Sequence, residues 1–296
     1  KSLVGAGVEA ARPRTLPASV SPVLLGCALA YYDGAFDVVP AVLCLLVALF
    51  AQIASNFAND YFDFKKGADR EDRLGPERAV AEGWITPKAM LTGTFVTLGL
   101  ACAAGLLLVC FADWRLIGVG IAIAICVLAY SAGPFPLAYN GLGDVCVLLF
   151  YGIIPVCFTY YIQTLNFSLL SFLLSVALGL LSVNILIVNN YRDYEQDKAA
   201  RKRTTIVLFG RRAGRVFYVL NECMAFLLVL PLILDAPWWI LFLFGILFAL
   251  CFYTTRELFT LEGRALNRTL GHTARNVFLF ASVLSLLFLY IGGVSN

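Results

Sequence analysis

Charged residues are scarce in this sequence, and long apolar blocks take their place. Only 14 % of the 296 residues are Asp, Glu, Lys or Arg, whereas a soluble globular domain usually carries about 25 %. Hydrophobic residues make up 60 % of the chain, and the mean hydropathy is +0.84. Apolar residues collected in long blocks are typical of helices that cross a bilayer. The composition therefore argues against an ordinary soluble domain and predicts an all-α polytopic membrane protein.

The sequence also lacks the residue patterns of several common catalytic and metal sites. Its single histidine, His272, cannot build a histidine-based metal site. None of the nine cysteines forms a Cys-x-x-Cys pair, and nearly all lie in apolar blocks, where a free cysteine packs as a small hydrophobe. We find no Ser-His-Asp set, Gly-rich nucleotide loop, zinc pattern or cleavable signal peptide, and we expect no nucleic-acid partner.

Nine apolar segments are long enough to form membrane-spanning helices. We predict spans at residues 14–33, 38–60, 88–111, 114–131, 141–161, 168–190, 213–233, 236–254 and 274–293. Several of these segments contain Gly or Pro, which bundled membrane helices tolerate. The chain is too short for a second domain, so we predict a single transmembrane domain over residues 1–296.

Lys and Arg are distributed unevenly between the two ends of these spans. Of the 22 such residues, Arg115 falls in the connection between the third and fourth spans. The other 21 lie at the N-terminus or around the connections 61–87, 191–212 and 255–275. Because cytoplasmic loops are enriched in positive charge, we predict a cytoplasmic N-terminus, an external C-terminus and insertion in the cytoplasmic (inner) membrane.

Asn and Asp residues are concentrated at the cytoplasmic ends of two spans. The first motif, residues 56–69, ends the second span with the sequence NFANDYFDFKKGAD. The second motif, residues 189–197, ends the sixth span with NNYRDYEQD. Polar groups at membrane depth are costly and tend to be functional. Two similar motifs at matched helix ends therefore predict one shared site, if the two spans pack side by side.

The spacing within the motifs predicts a metal site. Residues three or four apart share a helix face, so Asn59 pairs with Asp63, and Asn189, Asp193 and Asp197 lie on one face. Crowded carboxylates repel each other unless a cation joins them. Carboxylate and amide oxygens are hard ligands that suit Mg²⁺, and substrate phosphate oxygens usually complete its shell. Each motif is thus interpreted as half of a Mg²⁺–diphosphate clamp.

Basic residues follow both motifs. They are Lys65, Lys66, Arg70, Arg73 and Arg78 after the first, and Lys198, Arg201, Lys202 and Arg203 after the second. Arg binds phosphate as a bidentate fork and Lys binds it as a point charge. Positive charge in these loops is also required by membrane topology alone. Each of these residues is therefore either a diphosphate ligand or a topology signal.

The ordered motifs resemble those of the UbiA superfamily of intramembrane aromatic prenyltransferases. The resemblance rests on Asn59-Asp60-x-x-Asp63 with the later Asp69, and on Asp193-x-x-x-Asp197. Further stretches resemble the MenA-type 1,4-dihydroxy-2-naphthoate prenyltransferase branch of that superfamily. They are residues 12–17, 66–69, 72–78, 141–144, 189–193 and 202–204. The loop 131–139 departs from the pattern, because it holds none of the Lys or Arg that relatives often carry there.

This resemblance implies a fold and a reaction. The fold would be a UbiA-like bundle of nine transmembrane helices around a central cavity. The reaction would use Mg²⁺ and a polyprenyl diphosphate, in contact with membrane lipid, and would prenylate 1,4-dihydroxy-2-naphthoate with loss of its carboxylate. The product would be demethylmenaquinone, the precursor of menaquinone.

Together, the motifs and the resemblance give a set of predicted site residues. The predicted catalytic residues are Asp63, Asp193 and Asp197. The predicted metal ligands are Asn59, Asp60, Asp63, Asp69, Asn189, Asp193 and Asp197. The predicted diphosphate ligands are Asn56, Lys66, Arg73, Arg78, Tyr130, Arg192 and Lys202. Arg12 and Arg14 are predicted to hold the aromatic substrate.

Several alternatives remain open at this point. Tyr130 is also explained as an interface tyrosine, and Arg12 and Arg14 as charges that set topology. The same chemistry on 4-hydroxybenzoate, homogentisate or a haem is the first rival to the naphthoate acceptor. An ion-coupled transporter is the second rival, since repeated halves with intramembrane carboxylates also occur in transporters. The dense positive charge after each motif argues against a cation pathway.

Overall fold

The computed structural model describes residues 2–67 and 73–295, and within those residues the chain is helical without a β-strand. We number the helices α1 (Leu3–Ala11), α2 (Leu16–Tyr32), α3 (Val38–Lys65), α4 (Pro87–Leu108), α5 (Leu116–Ala129), α6 (Gly143–Thr164), α7 (Leu169–Arg192), α8 (Tyr194–Ala199), α9 (Thr205–Leu234), α10 (Trp238–Thr260) and α11 (Leu266–Ser295). Within α6, one π-helical turn, Leu149–Ile153, interrupts the α-helix.

Each of the nine predicted spans corresponds to one helix, but the count of nine spans is not confirmed. Among the described residues, eight helices are long and apolar enough to cross a membrane. The predicted fourth span is α5, which has only 14 residues. A helix of that length extends about 21 Å, whereas a hydrocarbon core is about 30 Å thick. The predicted span, residues 114–131, extends two residues beyond α5 at each end.

Several other helix boundaries differ from the predicted spans, and two of these differences lie next to the motifs. The second span was predicted to end at residue 60, but α3 continues to Lys65, so Asp63 is still helical. The seventh span was predicted to begin at residue 213, but α9 begins at Thr205 and is broken at Gly210, where φ is 86°. A left-handed φ is accessible to glycine at little cost, which explains why the break falls there.

Polar residues cap the starts of several long helices. The side chains of Asp37, Thr86, Ser168 and Thr204 accept hydrogen bonds from backbone N–H groups in the first turns of α3, α4, α7 and α9. These bonds satisfy donors that the helix itself leaves free.

The bundle packs around α2, α7 and α11. Side chains from these helices, among them Leu25, Leu178, Phe280 and Leu284, are fully buried in the largest apolar core. Helices α6 and α7 cross closely at Gly152 and Gly179, where a Cβ on Gly152 would lie 2.5 Å from Gly179 Cα. Small residues allow this close approach of two backbones, as in other membrane helix pairs.

The outer surface is strongly apolar. Large hydrophobic side chains are exposed along α4, α5, α9 and α10, including Leu106, Ile121, Leu220 and Phe252. An exposed apolar belt of this extent has to be covered by lipid, because in water it would associate or aggregate.

Candidate active site

A cavity of about 880 Å³ runs inside the bundle, between α2, α3, α4, α5, α6 and α7. Its polar end lies where α3 and α7 end, and both motifs contribute side chains there. Its other end is apolar and includes Cys44, Leu108, Phe158 and Ile162. The stretch of α3 from Cys44 to Asp63 extends about 28 Å, so the cavity is long enough for an extended chain.

The first motif begins on the last three turns of α3, and its described part continues to Gly67 just after the helix. Asp60 is buried and accepts hydrogen bonds from the backbone N–H groups of Ala79 (3.1 Å) and Val80 (3.4 Å). Asp63 is also buried, and its Oδ2 lies 3.4 Å from Nη2 of Arg78. Asp60 therefore ties the loop after the motif to α3, and this places Arg78 beside Asp63.

The second motif contains a break in the helix. The sequence predicted one continuous helical face through Asn189, Asp193 and Asp197, but α7 ends at Arg192 and Asp193 has φ −90° and ψ 12°. Arg192 donates to both oxygens of its neighbour Asp193, at 2.7 Å each. The backbone bonds still continue across the junction, from Asp193 N to Asn189 O and from Asp197 N to Asp193 O.

Arg192 is a fully buried side chain that joins three parts of the site. Besides Asp193, it donates to Asn189 Oδ1 at 2.8 Å and to Asn267 Oδ1 at 2.6 Å. Asn267, at the start of α11, also donates to the carbonyl of Leu74 at 3.0 Å. Because these bonds use both ends of the guanidinium, Arg192 positions the second motif and does not line the cavity.

Tyr139 connects the two motifs. Its hydroxyl donates to Asp63 Oδ1 at 3.0 Å. The ammonium groups of Lys66 and Lys202 lie 4.5 and 5.3 Å from its ring centroid, within cation–π range. Lys202 also lies 3.8 Å from Asp197 Oδ1. One aromatic ring thus stands between the carboxylate of the first motif and the basic residue that follows the second.

A polar network holds the start of α2 against α3. Asn56 donates to the carbonyl of Ala11 at 2.9 Å, and Gln52 accepts from Ser19 at 3.1 Å. The Tyr151 hydroxyl donates to the same Gln52 oxygen. This network places Arg12, which has a left-handed φ of 54°, at the wall of the cavity.

Comparison with known proteins identifies the family of this chain. The model of the UbiA prenyltransferase family matches residues 19–280. This chain belongs to the UbiA prenyltransferase family. As a member of that family it is a prenyltransferase and an integral membrane protein.

Two relatives carry the same name. The chain is 38 % identical over 218 residues to a 1,4-dihydroxy-2-naphthoate octaprenyltransferase of Haemophilus influenzae, covering 71 % of each chain. It is 38 % identical over 234 residues to the protein of that name from Mycobacterium tuberculosis, covering 78 % of this chain and 79 % of the relative.

A solved structure matches the fold. It is a UbiA homolog from Archaeoglobus fulgidus bound to DMAPP and Mg²⁺, with a TM-score of 0.62 and 18 % identity. The match covers 95 % of this chain and 97 % of that chain.

The structure of this UbiA-family protein brings most of the predicted site residues to one cavity. The predicted residues that line it are Arg12, Arg14, Asn56, Asn59, Asp60, Asp63, Arg73, Arg78, Tyr130, Asn189 and Lys202. The predicted residues that do not line it are Lys66, Arg192, Asp193 and Asp197. Asp69 lies outside the described residues. The roles of all these residues stay predictions, because the geometry shows where they are and not what they bind.

Four residues near the site were missed by the sequence analysis. Ser131 donates to Asn59, Tyr139 joins the motifs, and Gln52 and Asn267 anchor their surroundings. Gln52 stands one helical turn before Asn56, so a polar residue on the motif's own face was a usable signal. Tyr139 and Asn267 offered none, because their contacts join distant parts of the chain.

The donor atoms of this UbiA-family site fit Mg²⁺. Asp197 Oδ2 is buried and accepts no hydrogen bond from any residue in 2–67 or 73–295. Burial raises the pKa of Asp197 to about 6, Lys202 opposes that shift, and the nearby charges of Asp193 and Asp63 add to it. A carboxylate in that setting gains stability from a cation. Within the same residues no three His, Cys, Asp or Glu side chains form a ready metal group.

Proposed function

We propose that this protein transfers a polyprenyl group from a polyprenyl diphosphate to 1,4-dihydroxy-2-naphthoate, with loss of the carboxylate. The direct product is the reduced, quinol form of demethylmenaquinone. Two relatives named 1,4-dihydroxy-2-naphthoate octaprenyltransferase are 38 % identical to the chain over most of its length, which supports the acceptor and the prenyl transfer. Their names make octaprenyl diphosphate the first donor to test.

The single observation that carries the proposal is the two-ended cavity. Its polar end is lined by residues of both motifs, among them Asp63 and Asn189, and by several basic side chains. From Asp63 the cavity extends about 28 Å along α3 to the apolar end at Cys44. A diphosphate head and a long apolar tail need this combination. A smaller, uniformly polar site would leave the tail exposed to water, and burial of the tail supplies binding energy.

The basic side chains at the polar end are placed to hold the diphosphate. Lys202, Arg73 and Arg78 all line the cavity. Arg78 and Lys202 each stand beside a motif carboxylate, at 3.4 and 3.8 Å, so their charge is fixed in position before substrate binds. Fixed positive charge stabilises negative charge as it develops on the leaving group.

The two motifs would hold Mg²⁺ through the oxygens of Asn59, Asp60, Asp63, Asn189, Asp193 and Asp197, together with Asp69. When bound, Mg²⁺ would supply the charge that neutralises the departing diphosphate. Arg192 orients Asp193 through its hydrogen bonds, and the Tyr139 hydroxyl orients Asp63. These two residues position the carboxylates and do not contact the substrate.

The reaction then needs no base from the protein. The bond between the allylic carbon and the diphosphate oxygen breaks, and its electron pair leaves with the diphosphate. The ring carbon that bears the carboxylate forms the new bond to the allylic carbon. Loss of that carboxylate as CO₂ returns its electron pair to the ring and restores aromaticity. Apolar walls keep water away from the electron-poor allylic carbon.

Arg12 and Arg14 are placed to bind the acceptor. Both line the cavity at its polar end, and Arg12 interacts electrostatically with Asp60 of the first motif. A guanidinium binds a carboxylate through two parallel hydrogen bonds, which would orient the naphthoate ring toward the allylic carbon. We also propose that this end of the bundle faces the cytoplasm of the inner membrane, because the Lys and Arg residues are concentrated there.

The proposal is tested with membranes that contain the protein, a radiolabelled polyprenyl diphosphate and 1,4-dihydroxy-2-naphthoate, with Mg²⁺ or with EDTA. We expect a labelled lipid-soluble quinol, which air oxidises to the quinone during extraction, with Mg²⁺ and none with EDTA. If product forms with 4-hydroxybenzoate or homogentisate and not with the naphthoate, the proposed acceptor is wrong and the prenyl-transfer mechanism stands. Absence of transfer to any aromatic acceptor by folded protein would contradict the proposal and favour transport.

A further inference from the structure

A second basic site lies outside the cavity, on the outer side of the second motif. Arg211 and Arg215 stand one turn apart on the same face of α9. The guanidinium carbon of Arg211 is 5.4 Å from the ring centroid of Tyr191 and 5.2 Å from that of Tyr194. The guanidinium carbon of Arg215 is 5.4 Å from Tyr191 and 5.1 Å from Phe259. Both arginines are half-buried and held by aromatic rings.

No carboxylate of the residues that the structure describes neutralises these two guanidinium groups. Neither forms an ion pair with a carboxylate of the described residues, and Nε of each is buried without a hydrogen bond there. Arg215 donates once, to the carbonyl of Phe259 at 3.3 Å, near the end of α10. A guanidinium has five N–H donors, so most of the donors of this pair are left for a ligand.

The surroundings of the pair are apolar and face outward. Leu208, Phe209 and Val216 on α9, and Phe259 on α10, are exposed. The pair follows the break at Gly210, at the same end of the bundle as both motifs, where a polar loop leaves the apolar helices. This is the level of the membrane at which lipid phosphates lie beside the outermost parts of the acyl chains.

We propose that Arg211 and Arg215 bind the headgroup phosphate of an anionic phospholipid, with its acyl chains along the exposed apolar side chains of α9 and α10. Guanidinium groups form bidentate bonds with phosphate, and the rings behind them fix their orientation in advance. The positive charge of a choline headgroup would repel the two arginines. We therefore expect the site to prefer a lipid with an anionic headgroup. Neither arginine lines the cavity, which separates this site from the diphosphate site.

The proposal is tested by titrating the detergent-purified full chain with phosphatidylglycerol or phosphatidylcholine and measuring bound lipid by native mass spectrometry. For phosphatidylglycerol, we expect the double variant Arg211→Gln/Arg215→Gln to bind more than about tenfold more weakly, since each arginine near lipid phosphate contributes about fivefold or more. The double variant Arg211→Lys/Arg215→Lys keeps the charge and loses the planar fork, and we expect it to bind at least about threefold more weakly.

The matched control is the double variant Arg212→Gln/Arg256→Gln. It removes the same charge from two exposed arginines of the same helices that make none of these ring contacts. We expect its affinity for phosphatidylglycerol to stay within about threefold of the parent. Equal losses in both double variants would show a diffuse charge effect and overturn the proposal.

Two further outcomes would also overturn it. Equal affinity of the parent protein for phosphatidylcholine would remove the headgroup preference. Displacement of the lipid by inorganic diphosphate at the lipid's own affinity would make this a site for free anions. If the Gln double variant does not fold, as judged by helix content and gel filtration, Arg211→Gln alone tests the site, because Arg211 makes no hydrogen bond to the described residues.

Discussion

At the scale of single residues, the site is organised by side chains that hold other side chains. Asp63 is fixed by Tyr139 and Arg78, and Asp193 is fixed on both oxygens by Arg192. Pre-positioned charges cost little reorganisation when substrate binds, and this is the usual source of large electrostatic effects on rate. We therefore expect different kinetic effects from replacing a carboxylate of the site and from replacing a residue that positions one.

Replacing either central carboxylate should stop the reaction. Asp63→Ala and Asp193→Ala are each expected to lower the turnover number by at least about 10²-fold, the loss typical when one electrostatic stabiliser is removed. The measurement is product formation per mole of protein in membranes, with insertion checked by immunoblotting. Near-parental turnover in both variants would show that the motifs are not the diphosphate site.

Tyr139 offers a test of positioning. Tyr139→Phe removes the hydroxyl that bonds Asp63 and keeps the ring beside Lys66 and Lys202. We expect about a tenfold lower kcat with little change in KM for the donor, the effect of losing one hydrogen bond of about 1.4 kcal/mol. Tyr139→Ala should be more severe, because it also releases both lysines. A Phe variant with parental kcat and a raised KM would place Tyr139 in substrate binding instead.

The pKa of Asp197 predicts how Mg²⁺ binding depends on pH. Burial raises that pKa to about 6, so the carboxyl is mostly ionised above pH 6 and mostly protonated below it. Protons should therefore compete with Mg²⁺, and the Mg²⁺ concentration for half-maximal activity should rise as the pH falls from 7 to 5. In Asp197→Asn this rise should be smaller, and an equal rise in that variant would assign the competing proton to another group.

At the scale of helices, one close crossing and one helix break shape the bundle around the cavity. Helices α6 and α7 cross where Gly152 and Gly179 meet, and the break at Asp193 turns the second motif after α7 ends. The sequence predicted both motifs at helix ends because that information is local: apolar runs followed by clustered Asn and Asp. It did not predict the turn at Asp193, because Arg192 is held by Asn267, 75 residues further along the chain.

The glycine crossing gives a prediction about stability. A Cβ at position 152 would lie 2.5 Å from Gly179 Cα and 2.6 Å from the Ser175 carbonyl oxygen. Gly152→Ala should therefore cost about 1–3 kcal/mol, the usual range for overpacking. Gly99→Ala on α4 is the matched control, because nothing lies within 4 Å of a Cβ there. Thermal unfolding in detergent should give a lower Tm for Gly152→Ala than for Gly99→Ala, and equal values would mean that the two helices separate at no cost.

At the scale of the whole molecule, composition and motif order were enough to predict a helical membrane bundle with one shared site. They did not determine the short length of α5 or the role of Tyr139. The length of α5 depends on where that helix begins and ends within an apolar segment, and composition does not fix those two points. The role of Tyr139 depends on the pairing of residue 140 with residue 203, which brings the loop after α5 beside the loop before α9. Such long-range contacts leave no local pattern in a single sequence.

The central claim is that both motifs form one site for prenyl transfer coupled to loss of the acceptor carboxylate. The most direct test supplies purified protein with Mg²⁺, octaprenyl diphosphate and 1,4-dihydroxy-2-naphthoate labelled in its carboxyl group, and counts the labelled CO₂ and the diphosphate released. We expect equimolar CO₂, diphosphate and prenylated quinol, and we expect all three products to be lost in Asp63→Ala and in Asp193→Ala. Diphosphate release without CO₂, or a prenylated product that keeps the labelled carboxylate, would contradict the central claim.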